Sequence, residues 1–138
     1  MKRYFVMIFF FLVAVSTVAI AADPWVGTWK LNPAKSKSPG GRLPHPSSIN
    51  IIEMQGEMLH LISDQTSATG EQEHVEYTAS LDGKEYPVKV SPPGTQPYTI
   101  SLKMIDSRTR EFVEVLGKFT IKGRGMYYPR TGRVSAAL

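Results

Sequence analysis

Cysteine is absent from all 138 residues. That excludes disulfides, thiolate metal sites, a cysteine nucleophile and a lipid-modified cysteine at the start of a mature chain. Helical periodicity is missing too: beyond the apolar N-terminus, no segment places apolar side chains at a 3.6-residue spacing. There is no Gly-x-Ser-x-Gly, no His-Glu-x-x-His and no phosphate-binding glycine loop. Among the 12 acids, no spacing singles out a pair suited to acid and base roles. These gaps argue against an enzyme, and neither a catalytic residue nor a cofactor is assigned. Positive charge is also lacking from Leu43 to Gly83, where seven acids stand without a Lys or Arg, whereas cations dominate from Lys84 onward. Two oppositely charged stretches that neighbour each other in the fold are the simplest expectation.

Long apolar runs are confined to the beginning. Lys2 and Arg3 precede an unbroken stretch from Phe5 to Val15, and small residues lead to Ala19-Ile20-Ala21. A charged head, an apolar stretch of about 7–15 residues and small side chains at −3 and −1 make a secretory signal. Residues 1–21 are therefore expected to be cleaved, leaving 22–138 as one domain in the periplasm or outside the cell. Ser16 and Thr17 interrupt the run short of the roughly 20 apolar residues of a spanning helix, so no membrane span is expected in the mature protein. Part of the net charge of +4 belongs to Lys2 and Arg3. So weak an excess on an exported domain argues against a nucleic-acid partner. Oligomeric state is not legible at this level.

What remains is dominated by period two. Trp25 to Leu31, Ser48 to Met54, Met58 to Thr66, Glu71 to Ser80, Lys84 to Val90, Tyr98 to Ile105 and Lys118 to Tyr127 read as strands, and Arg133 to Leu138 as a last short one. Asn32 to Ser47, with Pro33, Pro39, Pro44, Pro46 and Gly40-Gly41, reads as a loop. Ser91 to Pro97 is a second Pro/Gly loop, and Leu81-Asp82-Gly83 resembles a hairpin turn. A turn at Asp106 to Thr109 pairs Leu102 with Val113 and Ile100 with Val115 on an apolar face, and Ser101 with Glu114 on a polar one.

The opening strand carries Gly-x-Trp at Gly27 and Trp29, within Trp25-Val-Gly-Thr-Trp29-Lys-Leu-Asn-Pro-Ala-Lys-Ser-Lys37. Asp82-Gly83-Lys84-Glu85-Tyr86-Pro87-Val88 stands mid-chain. On these two segments the chain resembles small exported bacterial lipocalin-like (calycin-type) proteins across most of residues 25–127. The resemblance implies an all-β fold: an antiparallel up-and-down barrel of eight to nine strands. It further implies closure by Trp29 packed against an arginine near the chain's end. Arg124 is the first choice for that arginine, with Arg130 and Arg133 as alternatives. The implied interior holds a small apolar or amphipathic ligand. The tail after Tyr127 is shorter than this pattern calls for, so the barrel is expected to be incomplete at its C-terminus.

Tyr77, Tyr98, Ile100, Leu102, Val113 and Val115 share the expected inward face and are the candidate ligand-lining residues. A filled interior is the competing expectation; such a domain would serve as a structural or protein-contact module of the envelope. With a turn near Ser67, His60 falls opposite His74 and Leu59 opposite Val75. Two adjacent imidazoles with Glu73 or Glu76 are ordinary Zn²⁺ or Cu²⁺ ligands, but a solvent-facing pair is the expectation preferred, and no metal is assigned. Lys35, Lys37 and Arg42 make the first loop basic, suited to an anionic head group or a lipid surface if it is more than solvated.

Overall fold

A computed structural model describes residues 23–37, 41–43, 45–94, 96–128 and the backbone of 133–137. The expected leader, residues 1–21, lies outside the described residues, as does Arg130. Ten strands follow in order: β1 (Gly27–Lys30), β2 (Ser47–Gln55), β3 (Met58–Thr66), β4 (Gln72–Ala79), β5 (Asp82–Pro87), β6 (Lys89–Ser91), β7 (Tyr98–Met104), β8 (Thr109–Leu116), β9 (Phe119–Tyr128) and β10 (Arg133–Ala137). A single 3₁₀ turn, Pro33–Lys35, opens the first long loop, with Asn32 accepting from the Lys35 N–H. No helix among the described residues is long and apolar enough to cross a membrane.

The protein is all-β and antiparallel throughout. Five strands form one sheet, in the order β1-β2-β3-β4-β6, and five form the other, β10-β9-β8-β7-β5. Only β5 and β6 depart from a plain meander. They are two halves of one extended segment, broken at Val88, whose N–H donates to the Tyr98 carbonyl at 2.9 Å. The chain thus crosses from one sheet to the other along this segment and closes one side. On the other side β1 and β10 are both edges, and no closed barrel is found among the described residues. The expected last strand does form, pairing Arg133 with Tyr128 through Ala137 with Arg124.

Alternation fixes what lies between the sheets. Ile52, Leu59 and Ala79 from the first sheet meet Ile100 and Leu102 from the second, with Trp29, Met54, Leu61, Tyr77 and Phe112 packed around them. Each fully buried Ile or Leu of this cluster contributes about 1.5–3 kcal/mol.

Three expected pairings are corrected. Leu102 pairs with Phe112 and Ile100 with Glu114, not with Val113 and Val115. The turn is tighter than expected: Asp106 Oδ1 accepts from the N–H groups of Arg108 and Thr109, each at 2.8 Å, and Ile105 closes on Thr109 at 2.9 Å. Only 106–108 remain in the loop, and a one-residue shift turns every side chain of β8 to the opposite face. The second correction concerns the histidines. His74 lies opposite Asp64, and His60 opposite Thr78. Here Ser67 Oγ gathers the Thr69 and Glu71 N–H groups, which moves the centre of the turn to Thr69; a four-residue slip keeps the faces but parts the imidazoles. Third, Leu81-Asp82-Gly83 is not a hairpin turn. β4 pairs with β6 and β5 with β7, while Asp82 holds the bend by accepting from the Lys84 N–H and the Tyr86 hydroxyl.

Candidate ligand-binding site between the sheets

The two ends of the interior differ. At the end where the chain enters β1, the space is filled and held by ions. Arg110, on the inner face of β8, is 6% exposed and its guanidinium stacks 4.7 Å from the centre of the Trp25 ring. Its Nη2 donates to Asp23 Oδ2 at 2.5 Å, while Asp23 Oδ1 accepts from the Trp25 N–H. Burial pulls the Arg110 pKa down and Asp23 offsets this; a guanidinium stays charged regardless. Arg110 Nε has no hydrogen-bond partner among the described residues.

The opposite end is open. A cavity of about 500 Å³ lies there between β6 and β7, lined by Val88, Val90, Pro92, Pro93, Tyr98 and Leu116, with Glu73, Lys89 and Gln96 among its polar members. That volume is within the usual range for a small-molecule site. Tyr98 pairs with Leu116, and Leu116 with Phe119, so Phe119 and Ile121 continue the same inner face. Both are exposed nonetheless, Phe119 at 70% and Ile121 at 43%. Across from them, the first sheet presents polar inner positions: Ser48, Asn50, buried Ser63 and Gln65 share the face of Ile52 and Leu59. The inner face is therefore polar on the first half of β2 and the adjoining half of β3, and apolar at the start of β9.

Glu114 lies on the inner face between these regions. Burial raises its carboxyl above the ordinary value, with the adjacent Tyr98 hydroxyl and then His45 pulling it partly back. Burial, then the negative Glu114, pushes the phenols of Tyr77 and Tyr98 well above their ordinary value, so both remain neutral donors. His45, from the first loop, sits 3.6 Å from Glu73 and ties that loop to the rim. Gly117, at φ +56, makes the tight β8–β9 turn; a side chain there would collide with Gln96, which lies 1.8 Å from the site of its Cβ. Its N–H donates to the Pro97 carbonyl at 3.0 Å, joining the turn to the second Pro/Gly loop.

A titration follows from Glu114. The folded state holds this proton more tightly than the unfolded chain, so stability falls as pH rises from the ordinary value of 4.5 through the raised one. Below 4.5 the penalty is absent. Glu114→Gln removes it, and denaturation curves between about pH 4 and pH 7 should show the variant gaining on the parent as pH rises. Parallel curves would contradict a buried carboxylate.

Of the six residues expected to line a pocket, only Tyr98 borders the cavity. Ile100 and Leu102 are buried in the packed core, and Tyr77 is half-buried against it. Val113 and Val115 lie on the outer face, opposite Ser101 and Thr99, the consequence of the shifted register. Gly27 has φ +143, a conformation that favours glycine, as the chain turns into β1. Trp29 donates from Nε1 to the Trp25 carbonyl at 2.8 Å and meets Tyr127 edge-on at 6.3 Å. Arg124 does not pack on it. It is an outer-face residue, 63% exposed, with Nε 3.8 Å from Glu111. Among the described residues, the arginine that covers a tryptophan is Arg110, over Trp25. His60 and His74 each take their own carboxylate, Glu76 at 2.9 Å and Asp64 at 2.6 Å. No group of three or more His, Asp or Glu side chains among the described residues is placed to hold a metal ion.

Sequence reasoning missed Glu73, Val88, Val90, Glu114 and Leu116. The one available signal was the Pro/Gly segment from Ser91 to Pro97, read as a connection although it forms the cavity's rim. No protein-family model matches the chain, and comparison with curated proteins and with solved structures returns no match.

Proposed function

We propose that this chain is an exported, lipocalin-like, non-enzymatic protein that binds a small amphipathic molecule at the open end of its two-sheet interior. The single observation that carries the reading is the exposure of inner-face apolar residues, Leu116, Phe119 and Ile121, beside a cavity of about 500 Å³. A filled domain would cover such side chains, because leaving them in water forfeits the energy that folds a chain of this size. The ligand's apolar part would lie on Val88, Val90, Leu116 and Phe119. Its polar part would face Glu73, Tyr98 and the hydroxyl and amide groups of β2 and β3. The unclosed β1–β10 side departs from a complete barrel, and the Trp25–Arg110–Asp23 cluster fills the end opposite the cavity.

Titration with an uncharged fluorescent apolar probe, together with native mass spectrometry of gently purified protein, tests this. Saturable binding is expected at one site per chain. Val90→Trp, which fills the cavity, should weaken it on the order of tenfold or more, equivalent to about 1.4 kcal/mol. An interior that takes up no probe and carries no copurified molecule would leave the envelope contact module as the better reading.

A further inference from the structure

We infer that the rim of the cavity docks on an anionic lipid surface, the source from which the ligand is drawn. The purpose rests on the ligand-binding reading, whereas the geometry of the rim stands independently of it. The connections β1–β2, β3–β4, β6–β7 and β8–β9 all lie at the open end, because the antiparallel order returns the chain there each time. Their described residues carry Lys35, Lys37, Arg42 and Lys118 against a single acid, Glu71. Glu73, just inside, stands 3.6 Å from His45 Nε2. The described residues of the connections at the opposite end carry Glu57 and Asp106 with Arg108, so among the described connections the positive excess belongs to the rim.

Apolar side chains project from the same place. Phe119, 70% exposed, is the most exposed large apolar residue of the described chain, and it follows Lys118 at the tip of the β8–β9 turn, with Leu116 and Ile121 beside it. Met104 and Ile105 are also exposed, but they stand at the opposite end, where the described connections carry no positive excess. A protruding aromatic next to a lysine suits the boundary between acyl chains and phosphates. Leu116 borders the cavity and the tip alike, giving an amphiphile leaving the bilayer an unbroken apolar path inward.

Vesicle flotation tests the proposal, using phosphatidylcholine with and without about 30% phosphatidylglycerol. The protein should float only with the anionic vesicles and detach as salt rises, since exposed charges are screened over roughly 10 Å at 0.1 M. Phe119→Ser and Lys118→Glu should each lower partitioning on the order of tenfold, while Lys84→Glu, at the far end, should leave it unchanged. Failure to float, equal binding to neutral vesicles, or equal damage from Lys84→Glu would each overturn the inference. Probe titration without vesicles separates the two readings, because Lys118→Glu should leave cavity binding intact. Flotation with this pattern but no probe uptake would retire the ligand-binding function and keep the docking surface.

Discussion

Arg110→Ala should destabilise the fold by about 3–5 kcal/mol, the largest effect expected of any single exposed-to-solvent-type residue in the chain. Arg110 is charged yet 6% exposed, and its carboxylate partner Asp23 has a side chain only 18% exposed. Truncation leaves Asp23 without its counter-ion in a low-dielectric place and removes the cation from the Trp25 face, worth a further 0.5–2 kcal/mol or so. Asp23 lies four residues before β1, and Arg110 lies in β8, so this contact joins Trp29 against Tyr127 in fastening the first strand to the second sheet. In a domain of this size each kcal/mol lowers the melting temperature by roughly 4–8 °C, and a fall beyond about 12 °C is expected. Asp23→Asn should cost less than Arg110→Ala, since the amide still accepts a hydrogen bond. The double replacement Asp23→Ala/Arg110→Met should recover part of the loss, because removing both charges also removes the orphaned Nε donor. A loss below about 1 kcal/mol for Arg110→Ala would show that the ion pair is solvated and holds nothing.

Ile100→Ala is the second large effect, at about 2–4 kcal/mol. Ile100 is 2% exposed at the centre of the cluster formed with Ile52, Leu59, Ala79 and Leu102. The contrast with Val113 makes the experiment informative. Both are β-branched residues on adjacent paired strands, but Val113 lies opposite Ser101 on the outer face. Val113→Thr should therefore change stability by less than about 1 kcal/mol, with equilibrium urea denaturation as the measurement. Comparable losses at the two positions would restore the register that the bare pattern of β8 suggests.

That pattern shows how far local information reaches. Strand content was legible because alternation is a property of a few successive residues; the bend at Gly83, where φ is above zero, was marked as a turn but wrongly as a hairpin. β7 was read correctly in itself: Ile100 and Leu102 do face inward. β8 was not, since Val113 and Val115 are the more apolar set, yet Arg110, Phe112 and Glu114 are the ones turned inward. Apolarity alone favoured the wrong face. Arg110 finds Asp23 and Trp25 there, more than 80 residues away, and Glu114 finds Tyr98 across the β7–β8 hairpin, contacts that alternation alone does not reveal. The cavity was hidden for the same reason: Val88 and Val90 belong to a segment that changes sheets at Val88, and only then do they face Tyr98 and Leu116.

By itself the sequence settled the all-β character and the antiparallel sense of the strands, since these depend on neighbours within a handful of residues. Tertiary structure alone decided which face of β8 is inside, which arginine covers a tryptophan, and where the interior is left open. Those outcomes turn on whether a loop holds three residues or four, and on ionic contacts such as Asp23 with Arg110. Loop parity costs little free energy locally, yet it reverses a whole strand, so the balance is struck by the distant partners each face can reach.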